Sequence, residues 1–486
     1  MNDNKTWKIE ISMGQASVTG GGVFQGWGSS LCWWANRLGY SDTLAEKSAK
    51  LFYGEQGLRL NVMRYNIGGG DDPSHSHIAR TDSAVPGWLV WDEKRQEYQY
   101  DYEADFNQLN VLERAYQAAG KDAYVEVFSN SAPYFMTISG CSSGAVNAAE
   151  NNLKEECYDD FAAYLAHVSK YIQEELGIHI SSVSPMNEPN TDYWQAFSPK
   201  QEGCHVEPGR DQSEILLKTA RAFQDCGLTD VILAASDETS PDRQVLAYHS
   251  YSEEALKVIG RISTHTYLEN GMEELGMLAK EKHFPLWMSE VDGGLTIGEN
   301  AGELGAALWF GQKIISDLNT LSPSAWVMWQ LIDNHISKDG YKGNQDSGMV
   351  DRNGGYWGVA VADHDREEIL LTQKYYGMGQ FTRYIRPGAQ LIHCGEHVIA
   401  AYDREKKRLV LVAVNAKAQE QFCQVHWEEF YVGTGRVQVI RTSGSLEQGE
   451  SWAVLPDIKG ETHGFSAYLK GKSITTFVID NVVKNK

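Results

Sequence analysis

The sequence predicts an α/β chain in which a (β/α)8 barrel is followed by an all-β sandwich. Three observations carry this expectation. From about residue 58 to 332, short apolar runs alternate with longer stretches of helical spacing, and an earlier run at Val23–Gly28 brings the candidate strands to eight. After Pro387 helical periodicity stops and β-rich runs replace it. The first twenty residues hold one further strand-like run, Trp7-Lys-Ile-Glu-Ile-Ser-Met13, which fits no barrel repeat and is therefore assigned to the sandwich. The expected division is 1–20 for the N-terminal strand of the sandwich, 21–386 for the barrel and 387–486 for the rest of the sandwich.

The candidate barrel strands, in order, are Val23–Gly28, Leu58–Tyr65, Ala123–Phe128, Ser182–Met186, Val231–Ala235, Ile262–Thr266, Pro285–Ser289 and Ala325–Gln330. Most are apolar throughout rather than alternating, as strands covered on both faces should be. Phe106, Leu109, Leu112, Tyr116 and Ala119 keep helical spacing and stop at Gly120; Tyr158, Phe161, Leu165, Val168 and Ile172 do the same and stop near Gly177. In the tail, Val398–Tyr402 and Arg408–Val414 flank a charged turn, and Cys423–Trp427, Val437–Arg441 and Ile474–Ile479 follow as strands.

Composition excludes several partners. A net charge of −22 opposes binding to nucleic acid or to an anionic membrane, since both need a cationic surface. The N-terminus has no apolar stretch of the secretory kind and no 18-residue apolar run occurs, so a cytoplasmic location is expected. The seven cysteines are odd in number, scattered and without a CxxC pair, which fits reduced thiols. Oligomeric state is left open.

The chemistry lies at two strand ends. Ser184-Pro-Met-Asn-Glu-Pro189 closes on Glu188, assigned to the end of strand 4, and Pro285-Leu-Trp-Met-Ser-Glu290 closes on Glu290, at the end of strand 7. In such a barrel the C-terminal strand ends line the active site. Two carboxyls across one mouth are what glycoside hydrolysis needs: about 5–5.5 Å apart for retention of configuration, about 6.5–9.5 Å for inversion. The competing reading of either glutamate is a cap or a salt-bridged residue. Sequence does not measure the gap.

Seven segments then carry a resemblance over nearly the whole length. They are Gly26-Trp-Gly-Ser-Ser30, Met63-Arg-Tyr-Asn-Ile-Gly-Gly-Gly-Asp71, Phe128-Ser-Asn-Ser-Ala-Pro-Tyr-Phe-Met136, Ser184-Pro-Met-Asn-Glu-Pro189, His265-Thr-Tyr267, Trp287-Met-Ser-Glu290 and the run from Tyr375 to Gly388. Together they resemble glycoside hydrolase family 30, whose retaining enzymes pack a β-sandwich built from both termini against a (β/α)8 barrel. The resemblance implies that Glu188 is the general acid/base and Glu290 the nucleophile. It implies that Arg64 and Tyr267 hydrogen-bond Glu290, that Asn187 binds the sugar 2-hydroxyl, and that Trp329 floors the subsite of the cleaved sugar. By the like-charge argument Glu188 is expected protonated and Glu290 ionised. Tyr134, Phe135 and Trp194, on the loops after strands 3 and 4, are candidates for sugar stacking, with packing the equal alternative.

Within the family, the loop from Trp194 to His205 and the Ser139-Gly-Cys-Ser-Ser-Gly144 loop look most like those of β-1,6-galactanases, which adds His205 to the candidate substrate-binding residues. A β-1,6-glucanase, a β-xylosidase and a glucosylceramidase-like β-glucosidase are the alternatives, and a catalytically dead sugar-binding protein is the alternative of another class.

No metal or other cofactor is expected. His393-Cys-Gly-Glu-His397 matches a zinc-protease pattern that works only on a helix, and here it contains Gly395 and runs into a strand. Gly140-Cys-Ser-Ser-Gly144 lacks the strand and helix that a serine-hydrolase elbow requires. Gly20-Gly-Gly22 and Gly68-Gly-Gly70 lack the lysine or helix start of a phosphate loop. His75 and His77 read as solvated loop histidines.

Overall fold

The computed structural model describes residues 6–16, 22–80, 82–292, 302–341, 357–432 and 435–484. Eight parallel strands close into a barrel: β1 (Gly26–Ser30), β2 (Val62–Asn66), β3 (Tyr124–Phe128), β4 (Ile180–Ser184), β5 (Ile232–Glu238), β6 (Arg261–His265), β7 (Leu286–Glu290) and β8 (Ala325–Met328). Each pairs with its sequence neighbours, and β8 closes on β1 through Ala325↔Gly26 to Met328↔Ser29. The strands are buried almost throughout, because helices cover the outside and side chains fill the inside.

Helices return the chain between strands: α1 (Asp42–Phe52), α2 (Phe106–Ala119), α3 (Tyr158–Glu175), α4 (Arg210–Asp225), α5 (Pro241–Ser250), α6 (Met272–Glu281), α7 (Leu304–Thr320) and, after β8, α8 (Gln373–Thr382). Ser41 starts α1 by accepting a hydrogen bond from the Leu44 N–H, and α2 stops where Gly120 takes φ 65°. Two small additions lie outside the expected set. One is a hairpin of Leu89–Asp92 and Glu97–Tyr100; the other is a sheet of Ile332–Ile336, Ala360–Asp363 and Glu368–Leu371.

Two strand ends differ from the sequence reading in a way that matters. β4 ends at Ser184, because Pro185 has no N–H to extend the ladder, so Glu188 lies four residues beyond the strand. Trp329 likewise lies one residue past β8. Glu290 is the last residue of β7.

The side domain is a sandwich. Its larger sheet is antiparallel, in the order Gln390–His393, Val398–Asp403, Arg408–Asn415, Ser473–Asp480, Arg436–Ser443, Glu450–Lys459. The smaller sheet places Gln421–His426 between Gly464–Leu469 and the N-terminal strand Trp7–Glu10, which pairs in parallel from Trp7↔Cys423 to Glu10↔His426. Ile9, Leu409, Leu411, Val425, Trp427, Phe465 and Phe477 fill the space between the sheets. Helices α7 and α8 lie between barrel and sandwich: Gly311 of α7 packs on Ile474, and Gln380 of α8 donates to Thr442 Oγ1 at 2.8 Å.

His393 ends one sandwich strand and His397 precedes the next, bonding Ser322 and Gln312 respectively. They share no helical face. All seven cysteines are free. Among the described residues, no helix is long and apolar enough to cross a membrane.

Candidate active site

A cleft of about 340 Å³ opens at the C-terminal ends of the barrel strands, lined among others by Asn187, Glu188, Tyr267, Glu290, Trp329 and Trp33. Glu290 is placed by β7 itself. Its Oε2 accepts from Arg64 Nη1 at 3.1 Å and its Oε1 from the Tyr267 hydroxyl at 3.0 Å. Glu188 is placed by a loop under constraint. Its backbone takes φ 47°, an uncommon region for a residue with a Cβ. Three bonds hold that conformation: the Glu188 N–H donates to the Asp237 carbonyl at 2.8 Å, while the Glu188 carbonyl accepts from Thr191 Oγ1 at 2.9 Å and Trp194 Nε1 at 3.1 Å. The side chain accepts from Tyr193 at 2.5 Å and faces His265 Nδ1 at 3.2 Å.

His265 joins the two carboxylates. Its Nδ1 is 3.2 Å from Glu188 and 3.5 Å from Glu290, and its Nε2 is 3.4 Å from Asp237. One ligating atom each of Glu188, His265 and Glu290 falls within 4.8 Å of the others. Such a trio has the make-up of a metal site, but the carboxylate oxygens already face the Arg64 guanidinium and the two tyrosine hydroxyls, which compete with a cation.

Beneath this layer the barrel interior is charged. Arg64 also donates to Glu126 at 3.0 Å and to the Ser289 carbonyl at 3.0 Å, and pairs closely with Asp237. Arg261 pairs with Glu126 from the other side and lies 3.6 Å over the Trp287 ring. These charges are buried and paired, as buried charges must be.

The electrostatics differ from the like-charge expectation. Burial raises Glu290, and against His265 and Arg64 it still pushes the carboxyl up to about 7. Burial raises Glu188 as well, but the hydrogen bond and charge of His265, with Tyr193, outweigh it and hold the carboxyl below its ordinary value. The reason is geometric: Arg64 divides its charge among Glu126, Asp237 and Glu290, whereas His265 sits closer to Glu188. Burial disfavours a charged His265, yet Glu290 and Asp237 carry it up to about 10. Asp237 is held at about 2 because Arg64 and His265 overcome its burial. Of the groups in the site, the imidazole facing Glu188 is the one its neighbours most favour in the charged form.

Asn187 borders the cleft, and its amide Oδ1 is buried without a hydrogen-bond partner among the described residues. Trp329 stands edge-on to Trp33 at 5.0 Å. Trp194 lines the cleft but is 4% exposed, and its ring lies so close to Gly203 that a Cβ there would overlap it. His205 does not reach the cleft: it is buried with Nδ1 2.5 Å from the Thr191 carbonyl, so it braces the loop that holds Glu188. Tyr134 lines a neighbouring hollow, its hydroxyl 3.3 Å from that of Tyr98, and Phe135 stacks on Tyr98 at 3.6 Å. His265, Asp237 and Tyr193 received no role from the sequence. For His265 a signal existed, since it opens the His265-Thr-Tyr267 segment at the C-terminal end of a barrel strand, where side chains line the mouth.

Residues 7–229 match O-Glycosyl hydrolase family 30. The chain is 28% identical over 482 residues to an endo-β-1,6-galactanase of Hypocrea rufa, covering 95% of this chain and 93% of that protein. The chain is a glycosidase, and residues 7–229 carry its family 30 match. It is also 26% identical over 503 residues to an exo-β-1,6-galactobiohydrolase of Bifidobacterium longum subsp. longum, covering 79% of this chain and 32% of that longer protein. Its fold is that of the family 30 subfamily 8 xylanase Xyn30A from Clostridium acetobutylicum, with a TM-score of 0.68 at 18% identity, covering 97% and 99% of the two chains.

Proposed function

We propose that the enzyme is a retaining β-glycosidase working by double displacement, with Glu290 as nucleophile and Glu188 as acid/base. The observation that carries this reading is the approach of the two carboxylates: an oxygen of each lies within 4.8 Å of the other, closer than the wide gap an inverting enzyme leaves for water. Arg64 and Tyr267 aim two donors at Glu290, which orients it toward an anomeric carbon and favours its anion. Glu188 takes its proton from His265 Nδ1 across 3.2 Å. The pair then passes from carboxylate and imidazolium to carboxylic acid and neutral imidazole, with Nε2–H left facing Asp237.

In the first step Glu290 Oε bonds to the anomeric carbon while the glycosidic C–O bond breaks and Glu188 protonates the leaving oxygen. In the second, Glu188 removes a proton from water, which displaces Glu290 and restores it. Asn187 Oδ1, buried and unpartnered, accepts a hydrogen bond from the sugar hydroxyl beside the reacting carbon. Trp329 provides the apolar floor.

For substrate we infer β-1,6-linked galacto-oligosaccharides. The support is the pair of galactanase relatives together with the loop after β4, which brings Trp194, Ser198, Lys200 and Gln201 to the cleft wall. Glu188→Ala with added azide tests the mechanism. Turnover of substrates with poor leaving groups should fall by roughly 10²–10⁴-fold, and azide should restore it as a β-glycosyl azide. An α-azide product rules out retention. A panel of β-1,6-galactans, β-1,6-glucans and aryl β-xylosides tests the sugar.

A further inference from the structure

Asp71, His75, His77 and Cys141 gather beside the cleft, at the end of the hollow that Tyr134 lines. One ligating atom of each lies within 4.8 Å of all the others. His77 Nε2 is 3.4 Å from Cys141 Sγ and 3.3 Å from Asp71 Oδ2, and His75 Nδ1 is 3.2 Å from Asp71 Oδ1. A tetrahedral ion with bonds of about 2.0–2.3 Å sets its ligand atoms roughly 3.3–3.8 Å apart. The contacts of His77 with Cys141 Sγ and Asp71 Oδ2 stand at that spacing, while His75 meets the other oxygen of the same carboxylate. The histidines are not solvated as their loop position suggests: the His77 side chain is 13% exposed, and the Phe197 ring stands edge-on to both imidazoles.

We propose that these four residues form a structural zinc site. The donor set of one thiolate, two imidazoles and one carboxylate suits zinc and not the oxygen-seeking magnesium or calcium. On binding, Cys141 releases its thiol proton to solvent, and the two anionic donors, Asp71 and Cys141, neutralise the dication. Four protein ligands leave no open position, so the role is structural rather than catalytic.

The surroundings fit. Cys141 is wholly buried and its Sγ accepts from the Phe197 N–H at 3.3 Å, an outer contact that supports a thiolate. Asp71 Oδ2 is buried and accepts no hydrogen bond among the described residues. Ser143 beside His77 accepts from the Ser198 N–H at 3.1 Å. The ion would therefore tie together the loops after β2 and β3, and through the N–H groups of Phe197 and Ser198 the loop after β4, which supplies a wall of the cleft.

The test uses the full chain without an affinity tag, loaded with zinc and passed through gel filtration. About one zinc per chain should be retained, and Cys141→Ser and His77→Ala should each lose it at least tenfold. Cobalt loaded in place of zinc should give tetrahedral ligand-field bands with a thiolate charge-transfer band that Cys141→Ser abolishes. Removal of the ion should lower Tm, as loss of any ligand of the native state does. No retained metal in the wild type overturns the proposal. So does equal retention by both variants, which would place the ion elsewhere, such as at Glu188, His265 and Glu290.

Discussion

The two interiors of this molecule are built on opposite principles. The sandwich is filled by aliphatic and aromatic side chains, with Phe477, Phe465 and Trp427 at its centre, and ion pairs such as Arg441–Glu450 stay near the surface. The upper barrel is filled by Arg64, Glu126, Asp237, Arg261, His265 and the two cleft glutamates, all buried. An apolar core gains stability from every methylene removed from water. A buried ionic network gains little net stability, since desolvation offsets most of its attraction. What it provides is a set of donors and charges fixed before substrate arrives, which is what transition-state stabilisation requires. The barrel thus holds the candidate active site, and the sandwich, gripping α7 and α8, adds apolar burial behind it.

Single substitutions can break this contrast. The largest effect is expected for Glu290→Gln, which should lower kcat by about 10⁴-fold or more while leaving Tm nearly unchanged and sugar binding measurable by calorimetry. Undiminished hydrolysis would sink the nucleophile assignment. Next comes Arg64→Met, which should act on both axes. It removes the partner of three buried carboxylates, costing roughly 3–5 kcal/mol in denaturant unfolding.

It also shifts the pH profile. On the proposed mechanism Glu290 attacks as its anion, so kcat/KM should rise with pH through its value of about 7 and fall as the proton held by His265 leaves, toward about 10. Arg64 lowers Glu290, so its loss should move the acid limb to higher pH. An unmoved limb would show that Arg64 does not govern the Glu290 charge.

In the sandwich, Phe477→Ala should cost a similar 3–5 kcal/mol by cavity formation, yet leave kcat of the folded enzyme and its pH profile unaltered. A changed profile would mean that the two regions are not separable. The smallest effect is expected at Arg441, whose side chain is about one-fifth exposed. Its replacement by Gln should cost about 0–1 kcal/mol and leave kcat alone, read from paired melts at low and high salt.

The pattern of apolar runs and helical stretches was enough to read the barrel, because strands buried on both faces and helices buried on one have different periods. Glu188 and Glu290 stood out as candidates because a carboxyl at the end of such a run has few other uses. Arg64 and Tyr267 came from their motifs, and the structure puts both within hydrogen-bond reach of Glu290. Strand ends were less legible: Pro185 stops β4 early, and Glu188 owes its position to the Asp237 carbonyl, 49 residues away in the chain.

Local sequence therefore determined the element types, the barrel class and the pair of carboxylates, since these follow from periodicity and residue chemistry over short windows. Only the tertiary structure decided which glutamate is the more acidic, because that depends on how Arg64 shares its charge and where His265 sits. Tertiary structure also decided that His205 braces a loop instead of lining the cleft. And it alone brought Cys141 to Asp71, His75 and His77, since loops seventy residues apart meet only when a closed barrel sets their strands side by side.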